Sequence, residues 1–335
     1  YPDNGGNITD KDFLKDLDKN TDDKKFLYAE ARYEVAILVA ANTGLKKSVK
    51  NSSDKMYSYE TTVHMGEDYT YRIRLANDAT TKSKDVVFFD SLENFYQEPE
   101  ETNPTLDSDW YGTLKGINLS NLVYKGIKPV VYLSKIESMN IQNHHDLKEK
   151  INGERVWIPY DTFVETYGLA AAKAIAVDAS KKPDGSDFVL DLNESMSFEL
   201  YMSAPNADTT SVLDPKAYNN IYVERTALKE SGGDINEIPQ FYHQDYTTVH
   251  YRVVSDIDLK KVDATDMETP VKGVTYKLRG TSDYGTVYEE ERISNRNGLF
   301  SFKNIEKGRY ELYEVSCSPD WQLNTEVYTV IIDNA

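Results

Sequence analysis

Apolar and polar positions alternate over short runs along most of this chain. Tyr69, Tyr71, Ile73 and Leu75 share one face of a period-two pattern, and so do Phe198, Leu200 and Met202. Val86–Phe89, Val130–Leu133 and Phe188–Leu190 are continuous apolar runs of strand length, and 217–227 reads as a closing strand. Turn signals separate the runs, among them Asn42-Thr43-Gly44, Gly66-Glu67-Asp68 and the stretch from Lys181 to Asp187. Helical patterns are few: Asp10–Leu17, 144–151, and Thr162–Leu169 leading into three alanines. Residues 95–109 are acidic and contain prolines, which predicts an exposed loop. Many short strands with turns between them predict an all-β chain of β-sandwich modules with few short helices.

The length of 335 residues suits two or three domains, each with its own core. Leu45-Lys46-Lys47 recurs as Leu259-Lys260-Lys261, each time where a new module opens. This echo divides the chain into a segment 1–44 ending a preceding module, a module over 45–252 and a smaller one over 253–335. With 56 acidic against 38 basic residues the formal charge is -18, which argues against nucleic acid as a partner. The 25 tyrosines suit strands that are half wet and half apolar. Cys317 is the one cysteine, so no internal disulfide framework exists; it reads as packing. The longest apolar run, Val35–Ala41, is far short of a membrane span and reads as a buried strand. Neither end carries a signal peptide or a sorting motif, so the sequence reads as a piece of a longer protein.

Two ionisable groups stand out in the last eighty residues. On a strand, Ile257, Leu259 and Lys261 share a face, as do Tyr310, Leu312 and Glu314. Each stripe thus ends in a charge aimed at a β core, a costly arrangement unless the two act together. Burial makes a lysine a nucleophile by favouring its neutral form. The same effect keeps a carboxyl protonated and able to hydrogen-bond a carboxamide under attack. Either these groups react, or they form a partly buried ion pair.

The order Leu259-x-Lys261-Val-Asp263, Pro270-Val-x-Gly273, Gly298-x-Phe300, Gly308-x-Tyr310-x-Leu312-x-Glu314 and Pro319-Asp-Trp321 resembles the Cna-B-type, or SpaA-like, domain of Gram-positive adhesins and pilins. The resemblance implies a spontaneous amide bond from Lys261 to an Asn or Asp near the domain's end, assisted by Glu314. Asp333 and Asn334 are the acceptors within this sequence; otherwise the last strand lies beyond it. Gly66–Asn77 followed by Asp85–Asp90 is similar to the immunoglobulin-like repeat of large bacterial surface proteins, over about 45–227. That likeness implies spacing and display, in tandem immunoglobulin-like β-sandwich modules. Pilin-type modules of this kind sometimes hold a second crosslink, for which Lys47, Asn219 or Asn220, and Glu60 as helper, occupy matching places.

Other constellations carry less. Adjacent His144 and His145 point to different sides of any regular element and rarely share one ion, so no metal is expected. The turn at 181–187 lacks the acidic spacing of a calcium loop. No nucleophile elbow, phosphate-cradling loop or dinucleotide fingerprint occurs, so neither an enzyme nor a cofactor is expected. The expected function is a structural stalk in an extracellular, cell-wall-anchored adhesin or pilin, partnered by neighbouring modules of the same protein. The alternative is an adhesin module that grips a host protein or glycan through its long tyrosine-rich loops.

Overall fold

The computed structural model describes residues 44–93, 107–207, 212, 214–231 and 233–333. The helix expected at 10–17, the strand at Val35–Ala41, most of the acidic loop and Asn334 lie outside the described residues. Among the described residues, twenty strands and two short α-helices follow in chain order. The larger module holds β1 (Gly44–Asn51), β2 (Glu60–His64), β3 (Asp68–Ala76), β4 (Thr81–Asp90) and β5 (Thr113–Asn118). After helix α1 (Ser120–Tyr124) come β6 (Val130–Ser134), β7 (Lys150–Ile151), β8 (Glu154–Arg155) and β9 (Ile158–Pro159). Helix α2 (Tyr160–Tyr167) precedes β10 (Ala174–Asp178), β11 (Val189–Leu190), β12 (Ser195–Ser203), β13 (Lys216–Ser231) and β14 (Asp234–Arg252). The smaller module holds β15 (Val254–Lys260), β16 (Thr275–Ser282), β17 (Val287–Ile293), β18 (Leu299–Glu306), β19 (Gly308–Ser316) and β20 (Val327–Ile332).

The period-two patterns become strands because each has one face to bury. β3 alternates as the sequence predicts, with Tyr69, Tyr71, Ile73 and Leu75 turned inward. It is the second strand of a four-stranded sheet, β1-β3-β12-β5. Facing it is an eight-stranded sheet, β2-β14-β13-β4-β10-β6-β9 with β11 beside β4. The two inner faces meet in one apolar cluster, where Phe88 of one sheet packs edge-on against Phe198 of the other at 5.2 Å. The second face of the large sheet is also covered: Phe89, Tyr222 and Trp157 form a separate cluster beneath the 136–158 insertion.

Two expectations change. The pattern at 144–151 is not a helix: the Asp146 carboxylate caps the Lys148 N–H, and β7 and β8 form a hairpin there. Its turn, Asn152-Gly153, takes positive φ at both residues, the geometry that matches strand twist. The strand at 217–227 does not close the module either. β13 runs on to Ser231 and turns back as β14, which ends on parallel pairing with β2.

The smaller module has its own core, built from Val274, Tyr276, Leu278, Phe302, Ile305, Tyr310 and Leu312. Its sheets are β15-β18 and β17-β16-β19-β20. Only Val253 separates β14 from β15. Its N–H donates to the Tyr284 hydroxyl, its carbonyl accepts from the Lys307 N–H, and its side chain is buried. Arg252 lies over the Tyr284 ring at 4.3 Å, and His64 Nε2 is 3.9 Å from Glu306 Oε1, so both modules contribute to the joint.

Separate cores predict separable damage. Phe302→Ala should cost the smaller module about 3–5 kcal/mol. Hydrogen-exchange mass spectrometry should show protection falling in peptides from 254–332, while peptides from 44–252 keep theirs.

Candidate functional site: a buried lysine between two sheets

The most demanding chemistry lies in the larger module, on the second candidate set. β1 belongs to the smaller sheet, and its alternation turns Val49 and Lys47 into the sandwich. Lys47 is 0% exposed. Its Nζ lies 2.5 Å from Asp90 Oδ2, donates to the Asn220 carbonyl at 3.1 Å and sits 4.5 Å from the centroid of the Tyr71 ring. Asp90 ends β4, at the centre of the facing sheet, and is 1% exposed. Burial pushes the Lys47 ammonium down from its ordinary value, against the pull of Asp90 and of Glu93 further off.

Asn219 completes the group from β13. Its carboxamide is fully buried, and neither Nδ2 nor Oδ1 makes a hydrogen bond. A buried amide without partners costs about 1–3 kcal/mol in a folded interior. It approaches the Tyr71 hydroxyl, opposing part of the rise that burial imposes on that phenol. A bulge between Asn219 and Ile221 shifts the β13–β14 register here. Beyond it, Asn220 reaches Tyr222, in the outer cluster, and offers only its backbone carbonyl to Lys47. Of the two asparagines, then, Asn219 presents the carboxamide to the lysine's side of the sheet.

Two side chains of β14 pin these strands. The Gln244 carboxamide accepts from the Lys47 N–H and donates to the Lys47 carbonyl at 3.2 Å, replacing a strand partner that β1 lacks on that side. Thr247 Oγ1 donates to the Asn219 carbonyl at 2.9 Å. The structure does not bring Glu60 into the group. Its side chain is 74% exposed on β2 and faces His250, because a strand turns alternate residues outward. Asp90 takes the place beside the lysine. The sequence signal for it was an apolar strand ending in an acid.

The first candidate set forms a different arrangement. Lys261 Nζ meets Glu314 Oε1 at 2.7 Å, with the lysine side chain 21% exposed and the glutamate 1%. The Tyr276 hydroxyl donates to the same oxygen at 2.7 Å and the Asn324 N–H to Oε2 at 3.0 Å. Burial pushes the Glu314 carboxyl up, but the hydrogen bonds from Lys261, Tyr276 and Asn324 outweigh it and hold the group below its ordinary value. This is the reverse of the protonated acid expected from burial alone. Asp333 is not brought to the pair. β20 runs antiparallel to β19 with Ile332 opposite Gly308, so Asp333 lies past the start of β19, about 20 Å from Glu314. Asn324 turns its side chain to Tyr328 and Glu326 instead.

Among the described residues no group of His, Cys, Asp and Glu is arranged to hold a metal ion, and no helix is long and apolar enough to cross a membrane. His144 and His145 turn to different carboxylates, Glu149 and Glu224.

Comparison with known proteins bears on the smaller module. Residues 255–335 match the model of the SpaA prealbumin-like fold domain. No curated protein matches the chain. Among solved structures, the major pilin subunit of Bacillus cereus is similar at 14% identity, covering 86% of this chain and 66% of that one, with a TM-score of 0.30. The full-length major pilin SpaD from Corynebacterium diphtheriae is 11% identical over 86% of this chain and 58% of its own, with a TM-score of 0.29. The backbone pilin of serotype M6 Streptococcus pyogenes is 14% identical over 87% of this chain and 52% of its own, with a TM-score of 0.25. The chain thus spans between about half and just under two thirds of these pilins' length. The family match thus covers residues 255–335, the smaller module, which is similar to the SpaA prealbumin-like fold domain; the chain that carries it is all-β.

Proposed function

We propose that this chain is a load-bearing stalk region of an extracellular, Gram-positive pilin-like protein, with modules 45–252 and 253–335. In this reading the larger module crosslinks itself through a Lys47–Asn219 amide bond. The observation that carries it is the buried Asn219 carboxamide without hydrogen bonds, set against the same Tyr71 side chain as the fully buried Lys47–Asp90 pair. A separated ion pair is costly in an apolar interior, so proton transfer from Lys47 to Asp90 along their hydrogen bond is favoured there. It yields an amine and a carboxylic acid. The amine attacks Cγ of Asn219 while Asp90 hydrogen-bonds the carbonyl oxygen. The proton then passes to Nδ2, the C–N bond breaks and ammonia leaves. Nothing else is consumed. Fixed placement of the two groups supplies the rate, and the reaction runs once.

Such a bond joins the first strand of one sheet to a central strand of the other. It closes a loop of about 170 residues and stabilises by about 5 kcal/mol on the chain-entropy model used for disulfides. Its mechanical effect is larger, since tension entering at β1 passes across the bond into β13 without extending the enclosed chain.

The intact mass of the denatured protein checks the bond. Wild type should be lighter than its sequence by one ammonia, and Lys47→Ala and Asn219→Ala should each show full mass, while Asn220→Ala should stay short. Full mass in wild type would sink the crosslink. Stretched as a single molecule, Lys47→Ala should release an extra extension of about 60 nm that wild type lacks. The smaller module, held by an ion pair, should respond to acid. Because the Glu314 carboxyl is held below its unfolded value, its contribution is complete above about pH 4.5 and is lost as pH falls through the folded value. Glu314→Gln should flatten that acid dependence in hydrogen exchange of 254–332.

A further inference from the structure

One buried acid has no part in the scheme above. Glu93 follows β4 by three residues and is 0% exposed. Leu92 and Glu93 both take the left-handed conformation, at φ of 47° and 72°. Such conformations cost about 1–3 kcal/mol each in a non-glycine residue and persist where the surroundings enforce them. The turn is fixed from within, since the Leu92 N–H donates to Asp90 Oδ1 at 2.8 Å. It folds the Glu93 side chain back into the sandwich.

There the carboxylate accepts three hydrogen bonds. The Tyr69 hydroxyl donates to Oε1 at 2.5 Å, the Tyr71 hydroxyl to Oε1 at 2.8 Å, and the Gly112 N–H to Oε2 at 2.5 Å. Gly112 is required at this approach: a Cβ there would lie 2.0 Å from the Tyr69 hydroxyl and 3.0 Å from Glu93 Oε2. Tyr71 is the wall shared by both reacting groups, its ring under Lys47 Nζ and its hydroxyl beside the Asn219 carboxamide. Tyr69 binds the same Glu93 oxygen but packs against Tyr71 and Trp110.

Resting on the crosslink reading, we infer that Glu93 is a positioning residue for the Lys47–Asn219 bond, acting through Tyr71, whose hydroxyl it anchors against the carboxamide. When the anchor or the hydroxyl itself is lost, the Tyr71 wall no longer fixes the Asn219 carboxamide beside it, and the amide is free to turn away from the lysine. Misplacement of about 1 Å is enough to slow a proximity-driven reaction a hundredfold.

The test is a time course of crosslinking after cell-free synthesis, read as the fraction lighter by one ammonia in the denatured protein. Far-UV circular dichroism reports folding in parallel. Glu93→Gln and Tyr71→Phe should each form the bond about tenfold or more slowly while folded. Tyr69→Phe, which loses an equal hydrogen bond to the same oxygen, should stay close to wild type. Equal slowing of Tyr69→Phe and Tyr71→Phe would make the cluster merely structural and overturn the proposal. So would a wild-type rate in Glu93→Gln. If Glu93→Gln does not fold, the pair of tyrosine variants decides. Full mass in wild type at all times would instead overturn the crosslink itself, and the role of Glu93 with it.

Discussion

The larger module is organised around a charge placed where no water can solvate it. Lys47 enters a core of Val49, Tyr71, Ile73 and Phe88, and Asp90 meets it from the opposite sheet. Removing one partner of such a pair typically costs about 3–5 kcal/mol, since the other charge is left unpaired. Register, therefore, cannot slip by one residue in β1 without turning Lys47 outward and leaving Asp90 alone. The polar groups nearby follow from that constraint. Gln244 fixes the lysine's backbone, Thr247 fixes that of Asn219, and the Asp90 carboxylate also holds the turn that leads to Glu93.

The two modules repeat one plan at different depths. Each carries Leu-Lys-Lys along its first strand or at that strand's end, and in each the second lysine turns toward an acid on another strand. In the smaller module the lysine keeps contact with solvent and the acid gains three donors, an arrangement that favours a stable ion pair. In the larger one both side chains are sealed and a carboxamide without partners lies beside them. Desolvation, not residue type, separates the two pairs.

Much of this was legible in the chain. Period two in Tyr69–Leu75 and Phe198–Met202 was enough to give strands and their inner faces, because burial on one face leaves a strict pattern. Lys47, with Asn219 or Asn220, entered as a candidate only through the resemblance to pilin-type modules. Asp90 was visible as the end of an apolar strand. Its partnership with Lys47 joins strands 43 positions apart in different sheets, which no local pattern encodes. Glu60 sits on an alternating strand whose solvent face no sequence rule could assign. The choice between Asn219 and Asn220 depends on a bulge, and Glu93 on a turn with two left-handed residues. Both are set by packing rather than by Gly or Pro.

The joint between the modules has a consequence for shape. A single residue, Val253, links two sandwiches, and both of its backbone groups are bonded to the second one. Arg252 and Tyr284 close over it. A hinge needs spare dihedrals whose hydrogen bonds are made to water, and none is left here. Swivelling one module on the other requires breaking these bonds, so sideways load is carried as bending across the joint, as in a beam rather than a string of beads.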